Sequence, residues 1–143
     1  MLGELNAHDV ERVLRENIIG RIGVHAFGRT YVVPITYAYD GDAVYAHSHD
    51  GMKMHMMREN PHVCFEVDRM DAFANWESVI AWGTFEELRG ERAARAMTML
   101  VRELEPKLQG PPGDSAHPRG GDDVRLVYRI ALDEKTGRFE RRA

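Results

Sequence analysis

Thr30-Tyr31-Val32-Val33-Pro34-Ile35-Thr36-Tyr37-Ala38-Tyr39-Asp40-Gly41-Asp42-Ala43-Val44-Tyr45-Ala46-His47 is the stretch on which the fold turns. Residues 30–39 are rich in β-branched and aromatic side chains. They alternate: Tyr31, Val33, Ile35, Tyr37 and Tyr39 share one face, and Val32, Pro34, Thr36 and Ala38 the other. Asp40-Gly41-Asp42 signals a hairpin turn, and a second strand runs from Ala43 to His47. Pro34 has no amide hydrogen to give to a ladder. The first strand should therefore lie at an edge or an opening of the sheet.

The pattern extends in both directions. Ile18 to Ala26 reads as a strand, with Ile22, Val24 and Ala26 on one face and Arg21, Gly23 and His25 on the other, followed by a turn at Phe27-Gly28-Arg29. Before it, Val10, Val13 and Leu14 form the apolar stripe of a short helix ending near Asn17. Downstream, a helix is expected from Gly51 to Glu59, with Asp50 as N-cap and Asn60-Pro61 as the stop. Val63, Phe65 and Val67 mark another strand, residues 69–75 a loop, and Trp76 to Leu88 a long strand. Glu91 to Leu108 reads as the longest helix, its face made of Ala93, Met97, Leu100, Val101, Leu104 and Leu108. Gln109 to Asp123 is rich in Gly and Pro, a long loop or flap. Val124 to Leu132 is the last strand, with a turn at Glu134-Lys135-Thr136-Gly137 leading to a final extended piece. The sum is a mainly β chain of about six antiparallel strands with flanking helices, one domain over residues 1–143. So many short-looped strands in so small a chain are expected to curl into a barrel. The strand–helix–strand rhythm of a doubly wound fold is absent.

Composition narrows the function classes. The 143 residues are 43% apolar and 29% charged, enough for one core without disulfides. A net charge of −4 argues against nucleic acid as a partner. The single cysteine, Cys64, excludes an intramolecular disulfide and suits a reducing cytoplasm. No signal peptide or membrane-spanning stretch is expected. The basic Arg138-Phe139-Glu140-Arg141-Arg142 reads as a solvated tail.

His47-Ser48-His49-Asp50-Gly51-Met52-Lys53 is the segment with chemistry in it. It joins a strand end to a helix start, where unpaired N–H groups and the positive dipole end favour an anion. Ser48 adds a hydroxyl and Lys53 a cation. A lysine in the first turn opposes the helix dipole unless an anion compensates it. The alternative is a loop that only caps the helix. The G-x-x-x-x-G-K pattern is missing, so nucleoside triphosphate hydrolysis is not expected. His47, His49 and His55 stand near one another, but with one cysteine and no C-x-x-C or H-E-x-x-H the expectation is no metal site. Cys64, among apolar neighbours, reads as a buried inert thiol. Trp76 and Trp82 share a face and read as core or interface packing.

Pro34-Ile35-Thr36-Tyr37-Ala38-Tyr39, Val44 through Lys53, Met57 through Asp68, Trp76 through Gly83 and Tyr128-Arg129-Ile130, in that order, resemble the pyridoxamine 5′-phosphate oxidase-like family of FMN-binding split barrels. The branch most resembled is the nitroimidazole-resistance (5-nitroimidazole reductase) type. The resemblance implies a six-stranded antiparallel split β-barrel that forms a homodimer with FMN at the subunit interface. It implies that Val33, Pro34, Ile35, Thr36 and Tyr37 run along the isoalloxazine, largely by backbone contacts. Lys53 would contact the flavin phosphate, His47 and Ser48 would lie beside the phosphate and ribityl chain, and Ser78 would reach the cofactor from a later strand. His47 is the candidate reactive residue. The implied activity is an NAD(P)H-dependent oxidoreductase passing electrons to a small oxidised acceptor. Alternatives in the same barrel are a deazaflavin (F420)-dependent reductase, for whose longer anionic tail Arg21 and Arg58 are the candidates, and a non-catalytic flavin- or haem-binding module. Met52 and Tyr37 stand where full pyridoxamine phosphate oxidases place basic residues, so oxidation of pyridoxamine phosphate itself is not implied.

Overall fold

The computed structural model describes residues 1–107 and 125–142. In chain order these form β1 (Leu2–Glu4), α1 (Ala7–Glu16), β2 (Ile19–Ala26), β3 (Arg29–Thr36), β4 (Ala38–Tyr39), β5 (Ala43–Ser48), α2 (Met52–Glu59), β6 (His62–Ala72), β7 (Asn75–Leu88), α3 (Gly90–Leu104) and β8 (Leu126–Glu140). All ladders are antiparallel, in the order β3-β2-β6-β7-β8-β5-β4, with β1 added beside β8. The path begins on β3 and ends on β4, two parts of one extended stretch. The sheet thus returns to the segment it started from. It is joined there by the chain through Tyr37 and not by a ladder, which makes it an antiparallel split barrel. Pro34 sits on β3, at the open edge, where its missing N–H costs nothing.

Tyr37 explains the break. Its amide donates to the Ile18 carbonyl at 2.9 Å. Its ring turns inward, edge-on to Phe65 at 4.9 Å, and its hydroxyl donates to the Leu14 carbonyl at 2.8 Å. That carbonyl belongs to the last turn of α1, where no intrahelical donor remains. Neighbouring carbonyls are met the same way, Val13 by Asn17 Nδ2 at 2.8 Å and Arg15 by Lys107 Nζ at 3.4 Å. At the other end of α1, Asn6 Oδ1 accepts from the Asp9 amide. The α1 stripe of Val10, Val13 and Leu14 is buried against the barrel. Arg12 forks onto Glu77 at 2.9 and 2.8 Å, tying α1 to β7. The barrel interior is filled by the inward residues of each strand, among them Ile22, Val24, Val63, Phe65, Val79 and Tyr128, and is plugged by Met54, Met56 and Met57 of α2. These three methionines are gap-fillers in the core, as unbranched side chains suit, while Met52 at the helix start is exposed.

Several boundaries differ from the sequence expectation. Residues 69–75 are not a loop: β6 runs to Ala72, and a two-residue turn with Ala74 at φ 62° leads straight into β7. Glu134-Lys135-Thr136-Gly137 is not a turn. These residues pair with Trp82, Ala81, Ile80 and Val79, and β8 is one continuous strand. The polar composition that suggested a turn reflects a sheet face open to solvent. The irregularity lies instead at Trp82/Gly83, opposite Asp133. A Cβ on Gly83 would lie 2.3 Å from the Ala131 carbonyl oxygen, so this crossing excludes any larger residue. Gly51, not Asp50, occupies the N-cap of α2, and Asp50 pairs with Arg58 at 2.7 Å. The expected flap at 109–123 lies outside the described residues. Among the described residues no helix is long and apolar enough to cross a membrane.

Candidate functional site

The outward face of the sheet carries a groove built by register alone. Val32 pairs with Gly23, Gly23 with Cys64, and Cys64 with Trp82, so these four stand in one row across β3, β2, β6 and β7. Their chain neighbours point into the core, so this row must point out. Gly23 makes the floor hollow: a Cβ there would meet only Cys64 Cβ, at 3.7 Å. The result is an open groove of about 520 Å³, closed at one end by His25, Thr30, Asn60 and His62. That size falls among small-molecule sites, roughly 300–1,000 Å³. The end wall is ordered, with His25 Nδ1 2.9 Å from Thr30 Oγ1 and Asn60 Nδ2 donating to the His25 carbonyl at 2.8 Å. Val32 is 62% and Trp82 42% exposed, both large apolar groups facing solvent. Cys64 corrects the expectation of a buried thiol: it is half-buried and lines the groove. Partial burial and the Glu66 charge raise its pKa, which keeps the thiol protonated and weakly nucleophilic.

A second cluster forms where β5 meets α2. Ser48 is buried, its hydroxyl donating to the His49 carbonyl at 2.8 Å. His47 faces outward on β5 and pairs with Val127 of β8. Arg125, just before β8, places Nη1 3.1 Å from His47 Nδ1. A guanidinium only donates, so Nδ1 is the acceptor and Nε2 is the ring atom that carries hydrogen. The buried Arg125 Nε has no acceptor among the described residues. Lys53 lies in the first turn of α2, half-buried, with no acidic residue in that turn and no ion pair among the described residues. Burial lowers its pKa. Gly51 gives the helix start no side-chain cap.

The remaining predicted residues divide. Pro34 and Thr36 face outward on the exposed edge of β3, while Val33 and Ile35 turn toward the core. The unpaired edge of β3 leaves backbone groups available, as a backbone-mediated contact requires. The Tyr37 side chain is committed to the core, with burial raising its pKa, and offers nothing to a ligand. Ser78 is not brought to His47 within the chain. Its register partners are Asp68 and Arg138, whereas His47 shares its row with Val127 and Leu88. Ten positions of β7 separate Ser78 from Leu88, about 33 Å of strand. Arg21 and Arg58, the candidates for a longer anionic tail, are both occupied: Arg21 by Glu66 and Asp68, Arg58 by Asp50 and Glu87. Sequence reasoning missed Gly23 and Arg125. Strand alternation pointed Gly23 outward, and its lack of a side chain was the available signal. Arg125 follows the Gly/Pro-rich stretch and carried no signal of its own.

The sequence matches the family described as pyridoxamine 5′-phosphate oxidase over residues 6–139. An uncharacterized protein of Rhizobium meliloti (strain 1021) is 27% identical over 139 residues, spanning 94% of this chain and 92% of its own. Among solved structures, an FAD-binding protein from Mesorhizobium loti is similar with a TM-score of 0.76 at 28% identity, covering 99% of this chain and 98% of that one. A candidate 5-nitroimidazole antibiotic resistance protein from Bacteroides thetaiotaomicron gives a TM-score of 0.73 at 22% identity, over 96% and 87% of the two chains, a likeness of fold.

Proposed function

The chain belongs to the pyridoxamine 5′-phosphate oxidase family, and from that premise we propose that it is a flavin-binding oxidoreductase that uses NAD(P)H. The observation that carries this reading is the pair of donors at the β5–α2 junction with no acceptor among the described residues: the Lys53 ammonium and Arg125 Nε. A phosphate fits both. Each contact would be charge-assisted, and the uncapped start of α2 adds backbone N–H groups. The hollow over Gly23, walled by Val32, Cys64 and Trp82, fits a flat, largely apolar ring. Lys53, Arg125 and the start of α2 would thus hold the phosphate, and the outward face of β3 and the groove would hold the ring.

When bound, a flavin supplies hydride chemistry, taking electrons from NAD(P)H and passing them to a small oxidised acceptor. The protein's own part is to bind, orient and exclude water. Val32 and Trp82 supply apolar cover. Arg125 would fix the His47 ring through Nδ1 at that end of the site. The protonated Cys64 thiol adds no competing nucleophile.

FMN is the ligand we expect. FAD, bound by the Mesorhizobium protein, is the second to titrate. The test is an absorption spectrum of the purified protein, then titration with FMN and FAD, followed by addition of NADH and NADPH under anaerobic conditions. The flavin bands should persist after removal of excess ligand and bleach with one of the two nucleotides. Lys53→Ala should weaken flavin binding about tenfold or more, the scale of one charge-assisted hydrogen bond at ~1.5–3 kcal/mol. Equal affinity in the variant would remove Lys53 from the site. A Soret band in place of the flavin bands would move the assignment to haem.

A further inference from the structure

A separate cavity of about 230 Å³ lies between α3 and the outer face of the β5–β8–β7 sheet, sharing no residue with the groove over Gly23. Arg92 and Arg95, one turn apart on α3, face into it from one side and Arg129 of β8 from the other. Leu88 and Met99 supply an apolar floor, and Tyr45 stands at its edge. Two carboxylates are already in place. Glu86 takes a fork from Arg92 at 3.0 and 3.1 Å and Arg129 Nε at 2.9 Å, which lowers its pKa to about 2. Asp40 interacts with Tyr45 and feels the charge of Arg129. Glu86 holds Arg92 and Arg129 in fixed orientations without neutralising the cluster. Arg95 has no ion pair among the described residues, so three guanidinium groups face two carboxylates. On a chain of net charge −4, this is a local basic site with an apolar base.

The geometry points to a second ligand site here, for a small organic oxyanion with a compact apolar body. Arg92 and Arg129 already donate to Glu86 and so supply fixed positive charge at the rim, while the Arg95 guanidinium supplies the fork that matches the planar edge of a carboxylate or the face of a phosphate. Leu88 and Met99 would take the ring or alkyl part, with Arg95 supplying a charge that has no ion-pair partner among the described residues. This site does not depend on the flavin reading: its residues and those around Lys53 are different.

The probes are phenyl phosphate and benzoate, titrated calorimetrically into the wild-type protein and into Arg95→Ala, Arg129→Lys and Lys53→Ala. Saturable one-to-one binding of at least one probe is expected, weakened about tenfold or more by Arg95→Ala and reduced by added salt. Arg129→Lys keeps the charge but loses the planar anchor on Glu86 that orients the cluster, and it should weaken binding less than Arg95→Ala does. Lys53→Ala should leave it intact. Arg95 is exposed, so its removal should not shift the thermal midpoint, which separates lost binding from lost fold. Preference for phenyl phosphate would name a phosphate monoester as the ligand class, and preference for benzoate a carboxylate. Absence of saturable binding by both probes, equal binding by Arg95→Ala, or loss in Lys53→Ala would each overturn the assignment.

Discussion

Replacing Gly23 by valine should raise the stability of this protein and lower its affinity for flavin. The two effects come from the same missing side chain. Glycine inside a strand costs ~0.5–1 kcal/mol relative to alanine through the freedom of the unfolded chain, and a β-branched residue suits a pleated surface further. The first atom of the new side chain meets only Cys64 Cβ, at 3.7 Å, an ordinary contact, and the methyl groups beyond it point into the open groove. A gain of about 0.5–1 kcal/mol corresponds to a rise of roughly 2–5 °C in a domain of this size. In the groove the same isopropyl group stands on the floor between Val32 and Trp82. Forcing extra methyl groups into an occupied site costs ~1–3 kcal/mol, or about five- to 150-fold in Kd. Urea melts of the flavin-stripped protein measure the first effect and fluorescence titration with FMN the second. Gly83→Ala is the control of opposite sign. Its Cβ would press on the Ala131 carbonyl oxygen at 2.3 Å, so that variant should lose stability. A stabilised Gly23→Val with unchanged FMN affinity would refute the placement of the ring in this groove. A destabilised one would refute the outward orientation of the row.

Three further outcomes are expected. Tyr37→Phe keeps the ring against Phe65 but leaves the Leu14 carbonyl buried without a donor, costing ~1–3 kcal/mol in an unfolding titration; a change below ~0.5 kcal/mol would mean that the carbonyl finds another partner. Burial and the neighbouring Asp68 push the Glu66 carboxyl up to about 7, with Arg21 opposing them. The folded state then binds the extra proton between the unfolded value near ~4.3 and about 7, so this contribution to stability is full below that window and declines as pH rises through it. Glu66→Gln should flatten the decline in urea midpoints between those limits, whereas superimposable profiles would place the titration elsewhere. Finally, dilution should separate subunits and release flavin over the same concentration range, as read by sedimentation and flavin fluorescence; a monomer that retains flavin would contradict a shared site.

Local signals located the strands, and long-range pairing decided where they ended. The alternation of residues 30–39 and the Asp40-Gly41-Asp42 turn were enough to place a hairpin, because side-chain period and turn chemistry are local properties. The break at Tyr37 was not visible. It depends on a hydroxyl reaching the last turn of α1, a contact set by packing between elements distant in sequence. The long β6–β7–β8 ladders were underread for a related reason. Residues 69–72 and 134–137 are polar because the sheet there faces solvent, and composition alone cannot distinguish an exposed strand from a loop. At the candidate site, the place of Lys53 in the first turn of α2 was legible, and a cation there conflicts with the helix dipole. Arg125 was not, since its position beside His47 follows only from the pairing of β5 with β8.

That pairing also constrains how Ser78 could take part. Within one chain, Ser78 lies in the Asp68–Arg138 row and His47 in the Val127–Leu88 row, at opposite ends of β7. A residue from each row can meet around one ligand only if the ligand lies along the face between them or if a second copy of the chain brings its own Ser78. The face between them carries Ile80 and Trp82, 39% and 42% exposed, and Val32 is 62% exposed in the row of Trp82. Apolar groups of that size in one outward patch gain by being covered. A second copy placed there would cover them and close the groove over Gly23 in one step. In the homodimer that the family resemblance implies, flavin binding and association would draw on the same surface. The split in the barrel would then have a use: the unpaired edge of β3 would stay open to the ligand, and a second subunit, not a further strand, would shield it from water.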